Sequence, residues 1–293
     1  MLCRIKTALR RNIFKEICMK NWKKGIAALI IGIALVFALA LATTACDDVD
    51  EETGPREVVE TAQSYNAKGE LLSRTEYEYD SKGGQTKYSS YNANGESTGY
   101  AEYKNEYDSK GRLTKRRSYN ASGELTGYTE YKRDSKGNTT KYSSYDASGK
   151  LTSYTEYKYD SKGNTTKQSS FNASGELSSH VEYEYDSKGN NTKYSIYNAN
   201  GELSYYFEYE YDSKGNQIKQ SLYYNGVFSS YSVSEYDSKG NRIKTISYNA
   251  SGVLSSHAEY EFDSKGNNTK ASNYNANGEL QSYTVYKYKT IKL

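Results

Sequence analysis

The sequence predicts an all-β fold: tandem hairpins of about 26 residues that zip into one elongated antiparallel sheet. Three observations carry this. A turn sequence, Asp-Ser-Lys-Gly, recurs with its glycine at Gly83, Gly111, Gly137, Gly163, Gly189, Gly215, Gly240 and Gly266. A second turn, Asn-Ala-X-Gly and near variants, alternates with it and places its glycine at Gly69, Gly95, Gly123, Gly149, Gly175, Gly201, Gly226, Gly252 and Gly278. The stretches between turns are rich in tyrosine, 34 of 293 residues, and the chain holds one proline. Tyrosine favours strands and brings buried area to a chain with few aliphatic residues, whereas proline interrupts a ladder.

One unit, residues 160–186, shows how each element is expected to form. Asp160 opens a three-residue loop and Gly163 closes it in the left-handed region, the pattern of a type I turn with a bulge at glycine. Asn172 and Gly175 repeat the arrangement at the other end. Strands are expected at 164–172 and 176–186, both odd in length, so the same face is kept along the array. Simple alternation puts Phe171, Leu177, Val181, Tyr183 and Tyr185 with Ser169 and Ser179 on one face. It puts Gln168, His180, Glu182 and Glu184 on the other, with Tyr142 and Tyr154 of the preceding unit. The apolar face needs cover. It either curls inward, as a spiral or open barrel, or meets a partner, and the sequence does not choose. Two irregularities interrupt the array: two extra residues within 101–108, and a shortened turn at Tyr224-Asn225-Gly226.

The N-terminal 45 residues are of another kind. Residues 25–42 are apolar, follow Lys20, Lys23 and Lys24, and precede small residues, which makes a secretory signal helix. Counted from Met19, the segment has ordinary signal proportions, so residues 1–18 read as a misassigned upstream extension and 19–45 as the signal peptide. The stretch Leu41-Ala-Thr-Thr-Ala-Cys46 resembles a bacterial lipobox, with its leucine two places early. On that reading Cys46 is lipidated, residues 46–56 form an acidic tether, and residues 57–293 form the repeat domain. The alternatives are plain secretion after cleavage at Ala45, or a retained single span. Eight of the 39 basic residues and one of the 36 acidic ones lie in residues 1–45. The remainder therefore carries a small acidic excess, which excludes a nucleic-acid partner held by bulk charge.

The run Tyr159-Asp160-Ser161-Lys162-Gly163-Asn164, repeated at residues 185–190, resembles the tyrosine-aspartate repeats of the RHS family. The resemblance covers about 230 residues. It implies a hairpin ribbon, often wound into a shell around a toxin, and roles in secretion, contact-dependent competition or surface attachment. Some eighteen strands are few for such a shell. A weaker likeness is to the glycine-turn repeats of cell-wall-binding and antitoxin-like hairpin proteins.

Nothing in the sequence points to catalysis: no phosphate loop, nucleophile elbow or paired-cysteine motif is present. His180 and His257 occupy a slot that is tyrosine in other repeats, at Tyr128, Tyr154 and Tyr283, and read as replacements there. Each Asp-Ser-Lys-Gly loop offers one carboxylate beside a lysine, a poor cation site. No cofactor and no metal are expected. The chain therefore reads as a lipid-anchored envelope or surface protein that binds a glycan, cell-wall or protein ligand through tyrosines such as Tyr128, Tyr142, Tyr154, Tyr205 and Tyr283. The alternatives are a spacer or coat without a ligand, and a component of an RHS-type competition system.

Overall fold

The computed structural model describes residues 56–291. The expected signal, the lipidated Cys46 and the tether up to residue 55 lie outside them. Eighteen strands follow in chain order: β1 (Arg56–Asn66), β2 (Leu71–Tyr79), β3 (Gln85–Asn92), β4 (Ser97–Tyr107), β5 (Leu113–Tyr119), β6 (Leu125–Arg133), β7 (Thr139–Asp146), β8 (Leu151–Tyr159) and β9 (Thr165–Asn172). They continue with β10 (Leu177–Tyr185), β11 (Asn191–Asn198), β12 (Leu203–Tyr211), β13 (Gln217–Tyr224), β14 (Val227–Tyr236), β15 (Arg242–Asn249), β16 (Leu254–Phe262), β17 (Asn268–Asn275) and β18 (Leu280–Ile291). Each strand pairs with the next, and all pairings are antiparallel.

Both turns form as the residue pattern requires. Between β8 and β9 the Gly163 amide donates to the Asp160 carbonyl at 3.2 Å, and the Asp160 amide donates to the Asn164 carbonyl at 2.9 Å. Asp160 Oδ1 accepts the amides of Lys162 and Asn164 at 2.8 and 2.9 Å, while Asn164 Nδ2 donates to Oδ2 at 2.9 Å. Gly163 sits at φ +93° with open space where a side chain would be, so backbone conformation alone demands glycine. Asn172 plays the same part in the other turn, where its Oδ1 accepts from Ser174 and Glu176. The short turn is a two-residue hairpin with Asn225 (φ 47°) and Gly226 (φ 80°) both left-handed.

A feature not visible as a turn signal recurs beyond each loop. Lys158 pairs with Lys167, but Tyr159 pairs with Thr165, which leaves Thr166 extruded. At the other end Ser144 pairs with Ser153 and Tyr145 with Leu151, which extrudes Thr152. At these two the threonine ties the bulge, as Thr166 Oγ1 donates to the Lys158 carbonyl at 3.3 Å and Thr152 Oγ1 to the Ser144 carbonyl at 3.0 Å, while Leu72, Ile218 and Ile243 are extruded in the same way without a hydroxyl. Each bulge shifts the alternation by one residue. The expected face assignment is corrected accordingly. Gln168 pairs with Val181, so both share a face, while Phe171 lies with His180 on the opposite one. Likewise Tyr142 pairs with Thr155 and Ser143 with Tyr154, so Tyr142 and Tyr154 lie on opposite faces.

The sheet closes, which corrects the open alternatives. β1 pairs with β18 along a ladder from Arg56↔Ile291 to Asn66↔Ser282. Following partners once round the sheet returns to β1 about 20 residues displaced, which for 18 strands corresponds to a tilt of about 40°. At about 4.8 Å between strands, the backbone ring is then about 35 Å across. All Asp-Ser-Lys-Gly turns lie at one rim and all Asn-Ala-X-Gly turns at the other.

Among the described residues only Val58 and Leu222 are buried apolar ones, and no side chain is fully buried. The barrel is therefore stabilised by its ladders and cross-strand side-chain pairs, each contributing about 0.2–1 kcal/mol, and encloses no packed core.

Candidate functional site: the two walls of the barrel

Side chains converge on a concave wall and splay on a convex one, which identifies the inner face. Burial raises the pKa of Tyr77, Tyr157, Tyr183, Tyr209 and Tyr286, and pushes that of Tyr79 up to about 12. The opposite face holds the exposed mid-strand residues, among them Glu78, Lys104, Lys132, Lys158, Glu184 and Glu210. That face is the outside.

The inner wall is layered. Nearest the Asp-Ser-Lys-Gly rim stand Tyr159, Tyr185, Tyr211, Tyr236 and Tyr288, whose phenols donate to backbone carbonyls of the neighbouring strand at 2.6–3.0 Å. A second layer contains Tyr77, Tyr131, Tyr157, Tyr183, Tyr209 and Tyr286. A third mixes Tyr88, Tyr142, Tyr194 and Phe207 with Thr and Gln, and a fourth is mostly serine. Every ring contact among the described residues lies within one strand or between adjacent strands, so none spans the lumen. Rings reaching about 6–7 Å inward from each side of a backbone ring about 35 Å across leave a clear width of about 20 Å. The inner tyrosines are half-buried, with rings flanked laterally and facing the lumen.

The outer wall is built differently. Tyr154 stacks on Phe171 at 4.7 Å, and Lys141 Nζ lies 3.5 Å from its ring centroid on the other side. Tyr128 lies in the same way between Tyr145 (4.7 Å) and Lys115 (3.8 Å), and Tyr283 between Tyr65 (4.9 Å) and Lys270 (5.3 Å). Both faces of these rings are covered by the protein itself. The lysines also pair with the facing glutamates, as in Lys115–Glu130 (2.8 Å) and Lys141–Glu156 (3.0 Å). His180 and His257 stand in the same row, stacked 4.5 and 4.4 Å from Tyr197 and Tyr274. Burial first, and Lys167 second, holds the His180 pKa below its ordinary value.

Of the five tyrosines expected to bind, Tyr128, Tyr154 and Tyr283 are thus in outer stacks, while Tyr142 and Tyr205 face the lumen. The alternation missed the other inner tyrosines because the second bulges reverse it. The mid-wall lysine and glutamate rows run where a membrane-spanning barrel carries an apolar band, and charge there is strongly unfavourable in lipid. The outer surface is built for water.

No family model matches the chain, and no curated protein matches its sequence. Among solved structures it is similar to a porin-like protein from Bacteroides uniformis, at 12% identity and a TM-score of 0.43, over 79% of this chain and 98% of that one. A porin-like protein from Bacteroides vulgatus is similar at 14% identity and a TM-score of 0.39, over 79% and 98% of the two chains. The TcdB2-TccC3 structure is similar at 13% identity and a TM-score of 0.30, over 79% of this chain and 16% of that one.

Proposed function

We propose that this chain is an exported, lipid-anchored envelope protein whose water-exposed barrel binds glycan along its tyrosine-rich inner wall. The single observation that carries this reading is the contrast between the walls. Outer rings are sandwiched by a neighbouring ring and a lysine, whereas inner rings such as Tyr157, Tyr183 and Tyr209 turn toward an open lumen. Tyrosine offers a flat apolar face for sugar C–H groups and a hydroxyl for their oxygens, with little side-chain entropy to lose. The serine and threonine layers add further hydroxyls. Lipidation at Cys46 would hold the barrel at a membrane surface without a span.

Tyrosine emission tests the binding directly, because the chain's one tryptophan, Trp22, precedes the barrel. Titration of the full chain with soluble neutral and acidic oligosaccharides is expected to change that emission saturably. Tyr157→Ser with Tyr183→Ser is expected to abolish the change, while Tyr154→Ser on the outer wall leaves it. Equal loss from outer and inner substitutions would reject the lumen as the site. Acyl-chain mass on the N-terminal peptide, absent in Cys46→Ala, tests the anchor.

A further inference from the structure

The repeats are most irregular between β4 and β7, and the irregularities share one chemistry. Arg133 takes the place held by Tyr159, Tyr185 and Tyr211 in later repeats. Arg116 takes the inner-wall place held by Tyr142 and Tyr194 in the hairpins that follow. Arg133 donates through one terminal nitrogen to the Gly137 carbonyl at 3.0 Å, and its Nε is buried without a hydrogen-bond partner. Arg116 donates through Nε to Asn105 Oδ1 at 3.0 Å and lies 5.2 Å over the Tyr103 ring. The two extra residues of β4 supply that Asn105, and its Nδ2 is tied to Asp80 Oδ2 at 3.1 Å. Among the described residues, no carboxylate lies within ion-pair distance of Arg116 or Arg133. By contrast, Arg112 at the same rim is neutralised by Asp108 at 2.7 Å.

Many mid-wall lysines and glutamates pair with one another on the outside, as in Lys115–Glu130 and Lys141–Glu156, whereas Arg116 and Arg133, with Arg242 over the Tyr260 ring at 5.4 Å, put positive charge on an inner wall lined mostly by hydroxyls and rings. The buried Nε of Arg133 is a donor without a partner, which a ligand oxygen can complete, and the remaining guanidinium nitrogens face the lumen. We propose that Arg116 and Arg133 form a subsite for the carboxylate or sulfate groups of an acidic glycan entering at the Asp-Ser-Lys-Gly rim. The inference rests on the lumen being the glycan site. Two guanidinium groups suit a few spaced anions, each taken by a planar fork. They are too few for a nucleic-acid backbone, whose binding scales with the number of phosphates neutralised.

The test uses the full chain and one oligogalacturonate, as free acid and as its methyl ester. The acid is expected to bind about tenfold tighter than the ester at low salt, a difference one or two charged hydrogen bonds supply. Arg116→Gln with Arg133→Gln is expected to remove that preference and leave ester binding intact, while Lys132→Gln on the outer wall changes neither. Phenylglyoxal modification of the unaltered protein gives a second measurement independent of the folding of variants. The acid oligomer, and not the ester, is expected to protect Arg116 and Arg133. Sulfated oligosaccharide that protects where the uronate does not would assign the anion as sulfate and support the subsite. Equal binding and equal protection by acid and ester would overturn the subsite and leave the glycan reading standing. No binding by either overturns both, and tighter binding of a single-stranded oligonucleotide of equal charge overturns the choice of glycan.

Discussion

The phenol of Tyr185 donates to the carbonyl of Thr165 at 2.8 Å, across a gap where no ladder hydrogen bond exists. Ladder pairing between β9 and β10 stops at Lys167↔Glu182, so the two strands part at the rim and the Thr165 carbonyl loses its backbone partner. The same bridge recurs from Tyr159 to Thr139 and from Tyr211 to Asn191. This gives the tyrosine before each aspartate a structural reason: the aspartate shapes the turn, and the tyrosine joins neighbouring hairpins behind it. Tyr185→Phe is expected to lower stability by about 1 kcal/mol, the usual net value of one hydrogen bond. Phe262 occupies the equivalent slot without a hydroxyl, and Phe262→Tyr is expected to raise the melting temperature. Thermal unfolding followed by circular dichroism reads both, and shifts of the same sign would refute the bridge.

Acid should loosen the Asp-Ser-Lys-Gly rim first. Side-chain hydrogen bonds from Asn190, Asn216 and Asn241 hold the carboxyls of Asp186, Asp212 and Asp237 below their ordinary pKa, and Arg112 holds Asp108 down to about 2. A depressed folded pKa means stability that is complete above the unfolded value near 4 and is lost as pH falls through the folded value. Unfolding is expected to set in below about pH 4 and to deepen toward pH 2. Asparagine already fills this role in the opposite turn, where Asn172 caps the Ser174 and Glu176 amides. Replacing Asp186, Asp212 and Asp237 by Asn should therefore preserve the fold at neutral pH and flatten the acid limb. An unchanged acid limb would show that other carboxylates set it.

The turns were legible because each is written in adjacent residues: Asp160 or Asn172 supplies the cap, and Gly163 or Gly175 the left-handed φ. Strand number and antiparallel order followed from them. Face assignment failed at Thr166 and Thr152, because an extruded residue leaves no mark in an alternation pattern whose threonines look like ordinary strand formers. Closure was equally hidden. It depends on the registers of all the pairings together, and on β1 meeting β18 more than 200 residues away, where Ser64 bonds Thr284 at 3.0 Å. Of the arginine subsite the sequence showed only the two extra residues within 101–108, an irregularity given no functional reading there, and its meaning needed the inner wall to be identified.

Base should act through the inner wall. Burial raises the pKa of Tyr77, Tyr183 and Tyr209, and that of Tyr79 to about 12, so the neutral phenol is favoured more in the barrel than in the unfolded chain. The stability linked to these groups is complete below the unfolded value near 10 and falls as pH rises through the folded ones. Phenolate absorbance is expected to rise in two stages, with the later stage coincident with loss of the β signal. Titration of all tyrosines in one step near pH 10, with the β signal intact, would contradict a desolvated inner layer.

Strand parity decides which deletions the barrel survives. Removing residues 160–185 takes out β9 and β10 with one turn of each kind and joins Tyr159 to Asp186. Both bulges of the lost hairpin go with it, so every remaining side chain keeps its wall, and β1 still meets β18 antiparallel. The ring shortens by about 10 Å, two strand spacings. Removing β1 instead, residues 56–66, deletes one strand and leaves β2 beside β18. These run parallel, since each is antiparallel to β1, and their registers were set by that missing strand. Two open edges result, each a template for a second chain. The first deletion is expected to give a monomer with amide protection along all remaining strands. The second is expected to give dimers or aggregates with β2 and β18 exchanging fastest. A monomeric, uniformly protected product of the second deletion would mean that the seam contributes nothing to closure.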